Sequence, residues 1–182
     1  MAKKKTKKPV KKTVKKSVKK AAKKTAPKKE VKKVAVKAEP RTNIICPYLT
    51  FNGNCEEAFN FYRNVFGGKF TYVGRFKEMP PMEGMTVPAS ESEKIMHISL
   101  PISKETVLMG SDSSDAFGHA TVIGNNFSIS INAKSQKEAD RLYRELSVGG
   151  QQTMPMSKTF WGSYYGMLID KFGIYWQVSF GQ

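Results

Sequence analysis

The feature that most constrains this chain is that it repeats itself. Residues 54–68 contain Asn54-Cys55-Glu56-Glu57-Ala58, then Phe61-Tyr62-Arg63, then Gly67-Gly68. The same order returns 81 residues later as Ser135-Gln136-Lys137-Glu138-Ala139, Leu142-Tyr143-Arg144 and Gly149-Gly150. Apolar residues recur at helical spacing in both copies: Ala58, Phe61, Tyr62, Val65 and Phe66 in the first, Ala139, Leu142, Tyr143 and Leu146 in the second. Spacing of i, i+3, i+4 and i+7 lines one face of an amphipathic helix. Asn54 with Glu57, and Ser135 with Glu138, read as N-caps with an acid three residues on, and the glycine pairs read as stops. Such internal self-similarity means one supersecondary unit built twice.

Short β-prone runs surround each helix. Residues 44–51 precede the first and 127–131 the second; residues 69–76, 95–102 and 106–111 follow the first. Near the end, residues 164–169 and 174–178 flank Asp170-Lys171-Phe172-Gly173. Aromatic and β-branched residues suit a pleated, half-buried surface, and a glycine tolerates positive φ in a turn, so this predicts a hairpin with Trp161 just ahead of it. The unit is β-α-β-β-β, twice. The expected fold class is α+β: two βαβββ modules forming a pair of half-barrels with helices outside. Module one is 43–112, a linker with Gly118, His119 and Gly124 is 113–125, and module two is 126–182. Residues 77–94 form a long polar loop, of a length that suits a lid or an extended hairpin tip.

Strand alternation sorts side chains between two faces. Pro47, Leu49 and Phe51, Met96, Ile98 and Leu100, Phe127, Ile129 and Ile131, and Ile174, Trp176 and Val178 are expected under the helices. Cys46, Tyr48, Thr50, His97, Ser99, Met109, Asn126, Ser128, Ser130, Tyr165, Tyr175, Gln177 and Ser179 are expected on the concave side. The expected ligand pocket is Tyr48, Thr50, His97, Ser99, Met109, Ser128, Tyr165, Tyr175 and Gln177, with Trp161 as an apolar wall at its edge.

Charge divides the chain sharply. Residues 1–42 hold 18 lysines and Arg41 against Glu30 and Glu39, a net charge of +17; the remainder holds 12 basic and 13 acidic residues. Lysine pairs recur every four residues at Lys7-Lys8, Lys11-Lys12, Lys15-Lys16, Lys19-Lys20 and Lys23-Lys24. This composition offers too little apolar surface to offset chain entropy, so a disordered tail is expected. It resembles the tails of histone H1-like proteins, which implies phosphate-directed binding of DNA or RNA. No aromatic residue interleaves the lysines, so base stacking is not expected to contribute. No run of about eighteen apolar residues exists to span a membrane. No secretory signal is visible, and Cys46 and Cys55 form neither a disulfide framework nor a CxxC site, which fits a reducing, cytoplasmic setting.

Three motifs carry a resemblance over residues 43–182. Pro47-Tyr48-Leu49 with Phe51, Gly53 and Asn54-Cys55-Glu56-Glu57-Ala58 is one; Phe61-Tyr62 leading to Phe66-Gly67-Gly68 is another. The third is Thr159-Phe160-Trp161-Gly162 followed by Asp170, Phe172-Gly173 and Trp176. Together they resemble the PhnB-like branch of the glyoxalase/bleomycin-resistance/dioxygenase (vicinal oxygen chelate) superfamily. The resemblance implies a small-molecule site and a homodimer. It also implies that any metal ligands would fall near Cys46, Met109, Asn126 and Gln177, of which only Gln177 is a ligand type the superfamily uses. The branch also bears a ubiquinone-pathway methyltransferase label, yet no glycine-rich strand–helix turn for an adenosyl cofactor is present.

Other chemistry is sparse. Cys55 lies at a helix N-terminus, which lowers a thiol pKa, but Glu56 and Glu57 oppose that. His97 as a general base would require an orienting carboxylate, and Asp112 is the candidate. The expectation is a metal-free, cofactor-free small-molecule-binding core tethered to nucleic acid by its tail, cytoplasmic and nucleoid-associated. The alternatives are a metal-dependent lyase or dioxygenase-type enzyme, and a nucleic-acid-associated protein whose core is only a dimerisation scaffold.

Overall fold

A computed structural model of the chain describes residues 44–84, 86–117 and 121–181. The tail, including the ten paired lysines, and His119 lie outside the described residues. Twice, a strand leads into a helix and then into a three-stranded meander. Module one contains β1 (Tyr48–Phe51), α1 (Cys55–Phe66), β2 (Tyr72–Arg75), β3 (Ile95–Pro101) and β4 (Val107–Asp112). Module two contains β5 (Ile129–Asn132), α2 (Gln136–Leu146), β6 (Gln151–Lys158), β7 (Tyr164–Ile169) and β8 (Tyr175–Phe180). The sheet orders are β1-β4-β3-β2 and β5-β8-β7-β6. In each sheet the first and last strands pair in parallel and the other neighbours are antiparallel.

The helices form where the repeat places them, but their buried faces differ in detail. In α1 the buried residues are Cys55, Ala58, Phe59, Tyr62 and Val65, so Phe59 replaces Phe61 and Phe66 at the centre of the apolar stripe. In α2 they are the four expected: Ala139, Leu142, Tyr143 and Leu146. Helix α1 packs on β3, β4 and α2, and α2 packs on β7 and β8. One continuous apolar core results. Tyr62 of module one meets Trp176 of module two at 5.7 Å between ring centroids, and both are fully buried. Burying a side chain such as Phe59 stabilises by about 1.5–3 kcal/mol.

Two expectations about faces are corrected. Met96 does not point under the helix with Ile98 and Leu100. A β-bulge between Gly74 and Arg75 makes Ile95, not Met96, the partner of Arg75 and the buried residue at that end of β3. Met96 turns to the concave side beside Thr50 and Ser111. A bulge inserts one unpaired residue and shifts the alternation beyond it. Phe127 does not lie under a helix either: it precedes β5, is 60% exposed and lines a cavity. The long loop after β2 holds 3-10 turns at Phe76–Glu78 and Ala89–Glu91.

Candidate ligand-binding site

The concave face of module one is built in rows. Tyr48, Met109, Ser99 and Tyr72 are successive cross-strand partners over all four strands. His97 stacks on Tyr48 at 5.7 Å and tilts over Tyr72 at 5.6 Å. Its Nδ1 lies 3.3 Å from the Tyr48 hydroxyl and its Nε2 lies 2.9 Å from Ser99 Oγ. If Nδ1 accepts from the tyrosine, Nε2–H is left to donate to the serine. The equivalent rows of module two place Gln177 between Ser130 and Met167, and Tyr165 beside Ser179. Gln177 Nε2 donates to Ser128 Oγ at 2.8 Å, and Trp161 lies over Tyr165 at 6.0 Å.

Three cavities each take up part of this set. A cavity of about 590 Å3 runs along the outer edge of β1 and holds Tyr48, Thr50 and Tyr175 of the expected set. Its remaining wall comes from Thr121, Val122, Ile123, Asn126 and Phe127, and from the hairpin turn Phe172-Gly173-Ile174. The linker thus forms a wall, which its sequence did not signal beyond the apolar pair Val122-Ile123. A cavity of about 490 Å3 between residues 45–48 and 127–130 holds Tyr48 and Ser128. A third, about 340 Å3, holds Thr50 with Met96. None of the three is lined by His97, Ser99, Met109, Trp161, Tyr165 or Gln177. Sequence reasoning also missed Tyr72, although alternation along β2 could have placed it.

Asp112 is not an orienting group for His97. Its side chain points under α1, where Oδ1 accepts from the backbone N–H groups of Gly53 and Cys55 and Oδ2 from that of Ile95, each at 2.9 Å. Asn54 makes no side-chain cap, because this carboxylate caps the helix instead. Burial pushes the Cys55 thiol well above its ordinary range, and the charges of Asp112 and Glu56 push it further. Cys55 is fully buried and packs as a core residue.

Asp170, read from sequence as a turn and motif residue, also joins the two modules. Its Oδ1 accepts from the N–H groups of Phe172 and Ile174, which sets the turn. Its Oδ2 accepts from the Tyr62 hydroxyl of α1 and from Trp176 Nε1, each at 2.8 Å. Burial and the Asp170 charge drive the Tyr62 phenol far upward, so it stays a neutral donor.

The donor set does not fit a divalent metal. Gln177 binds Ser128, His97 is held between Tyr48 and Ser99, and no carboxylate joins them on the concave rows. Among the described residues no three His, Cys, Asp or Glu side chains stand close enough to hold an ion. Such ions require several convergent donors. An adenosyl methyl donor is served no better. At the turn into α1 the N–H groups of Gly53 and Cys55 are already taken by Asp112.

Comparison with known proteins agrees with this architecture. Protein PA1353 of Pseudomonas aeruginosa is 38% identical and matches with TM-score 0.66 over 78% of this chain and 99% of its own. Protein YjdN of Escherichia coli is 28% identical over 74% of this chain and 93% of its own. A PhnB protein of Bacillus cereus, which bears a 3-demethylubiquinone-9 3-methyltransferase label, shares the fold at 24% identity and TM-score 0.60, over 75% of this chain and 98% of its own. The same two-module architecture occurs in a glyoxalase-related enzyme. The family model described as 3-demethylubiquinone-9 3-methyltransferase matches residues 43–179, and the chain belongs to that family, with the fold of a glyoxalase-related enzyme.

Proposed function

We propose that the core binds a small molecule and that the lysine-rich tail tethers it to nucleic acid. The observation that carries the first half is the cavity of about 590 Å3, walled by β1 of module one, the linker and the β7–β8 turn of module two. Its volume lies in the range of small-molecule sites, and it mixes aromatic walls with the hydroxyls of Tyr48, Thr50 and Tyr175. The wider concave face, with His97, Ser99, Met109, Ser128, Gln177 and Trp161, supplies further polar and aromatic contacts. The family's methyltransferase description is not carried over, because among the described residues the N–H groups of Gly53 and Cys55 at the turn into α1 are held by Asp112.

The protein works as a homodimer. Strands β1 and β5 are sheet edges, each paired on one side. Beside them Ile45 is 92% exposed and Phe127 60% exposed. Unpaired edges flanked by apolar side chains favour pairing with a second copy. No helix among the described residues is long and apolar enough to cross a membrane. A cytoplasmic, nucleoid-associated location follows from the tail's charge.

The test of the pocket is calorimetric titration of the full chain against neutral and anionic aromatic metabolites. A ligand of this cavity loses at least tenfold in affinity in Tyr175→Ala; unchanged affinity in both Tyr175→Ala and Thr50→Ala sinks the assignment. The test of the tail is salt dependence. With about ten lysines on phosphate, log K for duplex DNA falls with log salt at a slope near −9. A flat response removes the tether.

A further inference from the structure

We infer that the concave end of module one holds a separate subsite for a flat, uncharged ring, adjoining the larger cavity through Thr50. This rests on the reading of the core as a small-molecule binder and names the ligand class. The space is about 340 Å3. Its walls are thioether and aromatic: Met79, Met96, Phe76 and Phe117. Phe76 and Phe117 stack at 5.4 Å with 19° between their planes. Planar stacking and polarizable sulfur suit an aromatic guest. Thr50 and Ser111, cross-strand partners on β1 and β4, supply hydroxyls at its floor.

Charge selects against an ion. The one ionisable lining residue is Asp112, and three backbone N–H groups under α1 hold both its oxygens. No cation lines the space, so an anionic guest would be desolvated without a partner.

The pocket is also held open before any ligand arrives. Glu91, only 6% exposed, accepts from Ser114 Oγ and pairs with Lys94 Nζ at 2.9 Å. Lys94 also donates to the Ser113 carbonyl at 3.3 Å. These bonds pin the chain after β4 and so fix Phe117 over Phe76. The corresponding β6–β7 pairing of module two carries its register shifts on β6 rather than on β7, so no β7 residue is turned inward as Met96 is on β3.

The experiment titrates the full chain with 2-naphthol, uncharged at neutral pH, and with 2-naphthoate, its anionic analogue. Saturable one-to-one binding of 2-naphthol is expected, with naphthoate at least tenfold weaker. Met96→Trp, which fills the space, should weaken 2-naphthol at least tenfold, and Phe117→Ala severalfold; Tyr175→Ala should leave it unchanged. Urea midpoints confirm that each variant is folded, and Phe117→Ala carries the test if Met96→Trp is not. Loss of binding in Tyr175→Ala with retention in Met96→Trp and Phe117→Ala overturns the subsite and leaves the larger cavity as the binding site. Equal affinity for naphthoate, or no saturable binding of 2-naphthol, also overturns it. Neither of these results touches the metabolite titration that tests the larger cavity.

Discussion

The two modules share one topology and reach it by different local means. Helix α2 is capped by the residue beside it: Ser135 Oγ accepts from Glu138 N at 3.2 Å. Helix α1 is capped from the far end of β4, by Asp112. The packing is likewise reversed. The cross-strand pair under α1 is Ile98 with Gly110, and the pair under α2 is Gly166 with Val178. A Cβ on Gly110 would meet the Phe59 ring at 2.6 Å, and one on Gly166 would come 3.0 Å from the Tyr143 ring. Each module keeps one small and one branched residue at this crossing, with the small one on opposite strands. What was retained from the duplication is the summed volume and the topology, since cores tolerate exchange that conserves both.

The concave faces diverge further, because nothing in the core restrains them. His97 and Tyr165 occupy equivalent places, yet His97 is caught between two tyrosines and Tyr165 lies under Trp161. Burial raises the Tyr165 phenol, so it stays protonated at neutral pH.

Variants can break or sharpen this comparison. The largest effect is expected from Asp170→Ala, because Asp170 serves both modules. Four donors lose their acceptor, and breaking a buried charged network costs about 3–5 kcal/mol. Asp112→Ala strands three backbone donors of module one alone and should cost about 1–3 kcal/mol. Equal losses in urea denaturation would show that Asp170 is not the link between modules.

Next comes the glycine pair. Gly110→Ala should destabilise by about 1–3 kcal/mol, because the added methyl also meets the Leu49 carbonyl at 2.8 Å, which is backbone. Gly166→Ala should cost less, since its nearest neighbour is the flexible Met156 Sδ. The reverse order, read from thermal midpoints, would refute the packing account.

The caps give a smaller contrast. Ser135→Ala should cost about 1 kcal/mol, whereas Asn54→Ala should stay within about 0.5 kcal/mol. A comparable loss at Asn54 would restore the local cap that the geometry denies.

The smallest expected effect is a pH dependence confined to module one. The Ser114 hydroxyl, then Lys94, holds the Glu91 carboxyl below the ordinary carboxylate range. Its contribution is therefore full above about pH 4.3 and is lost as pH falls through the lowered folded value. Stability profiles of the parent and Glu91→Gln should converge in acid and separate above that range; parallel profiles would dismiss the ion pair.

The repeat, both helices and the β7–β8 hairpin were legible in the sequence, because periodicity and turn residues are local signals. Gly173 does take positive φ, at 85°. Strand starts were less legible: residues 44–47 read as strand from their apolar content, yet β1 begins at Tyr48. Of these residues, Pro47 still accepts at its carbonyl from Met109 N of β4 at 3.1 Å.

The candidate site was legible only as a face. Alternation placed Tyr48, Thr50 and Tyr175 on the concave face, but it could not reveal that the linker would rise to wall a cavity with them. Nor could it foresee the bulge that reversed Met96, since a bulge is decided by pairing with Gly74 and Arg75, twenty residues away.

The sequence by itself determined the duplicated βαβββ order and the charge split between tail and core, because period, composition and turn chemistry are carried by neighbours along the chain. Only the tertiary structure decided that two carboxylates, Asp112 and Asp170, would act as a helix cap and an inter-module link. A buried carboxylate takes whatever donors the fold brings to it, and those donors came from as far as Tyr62, 108 residues away in the chain.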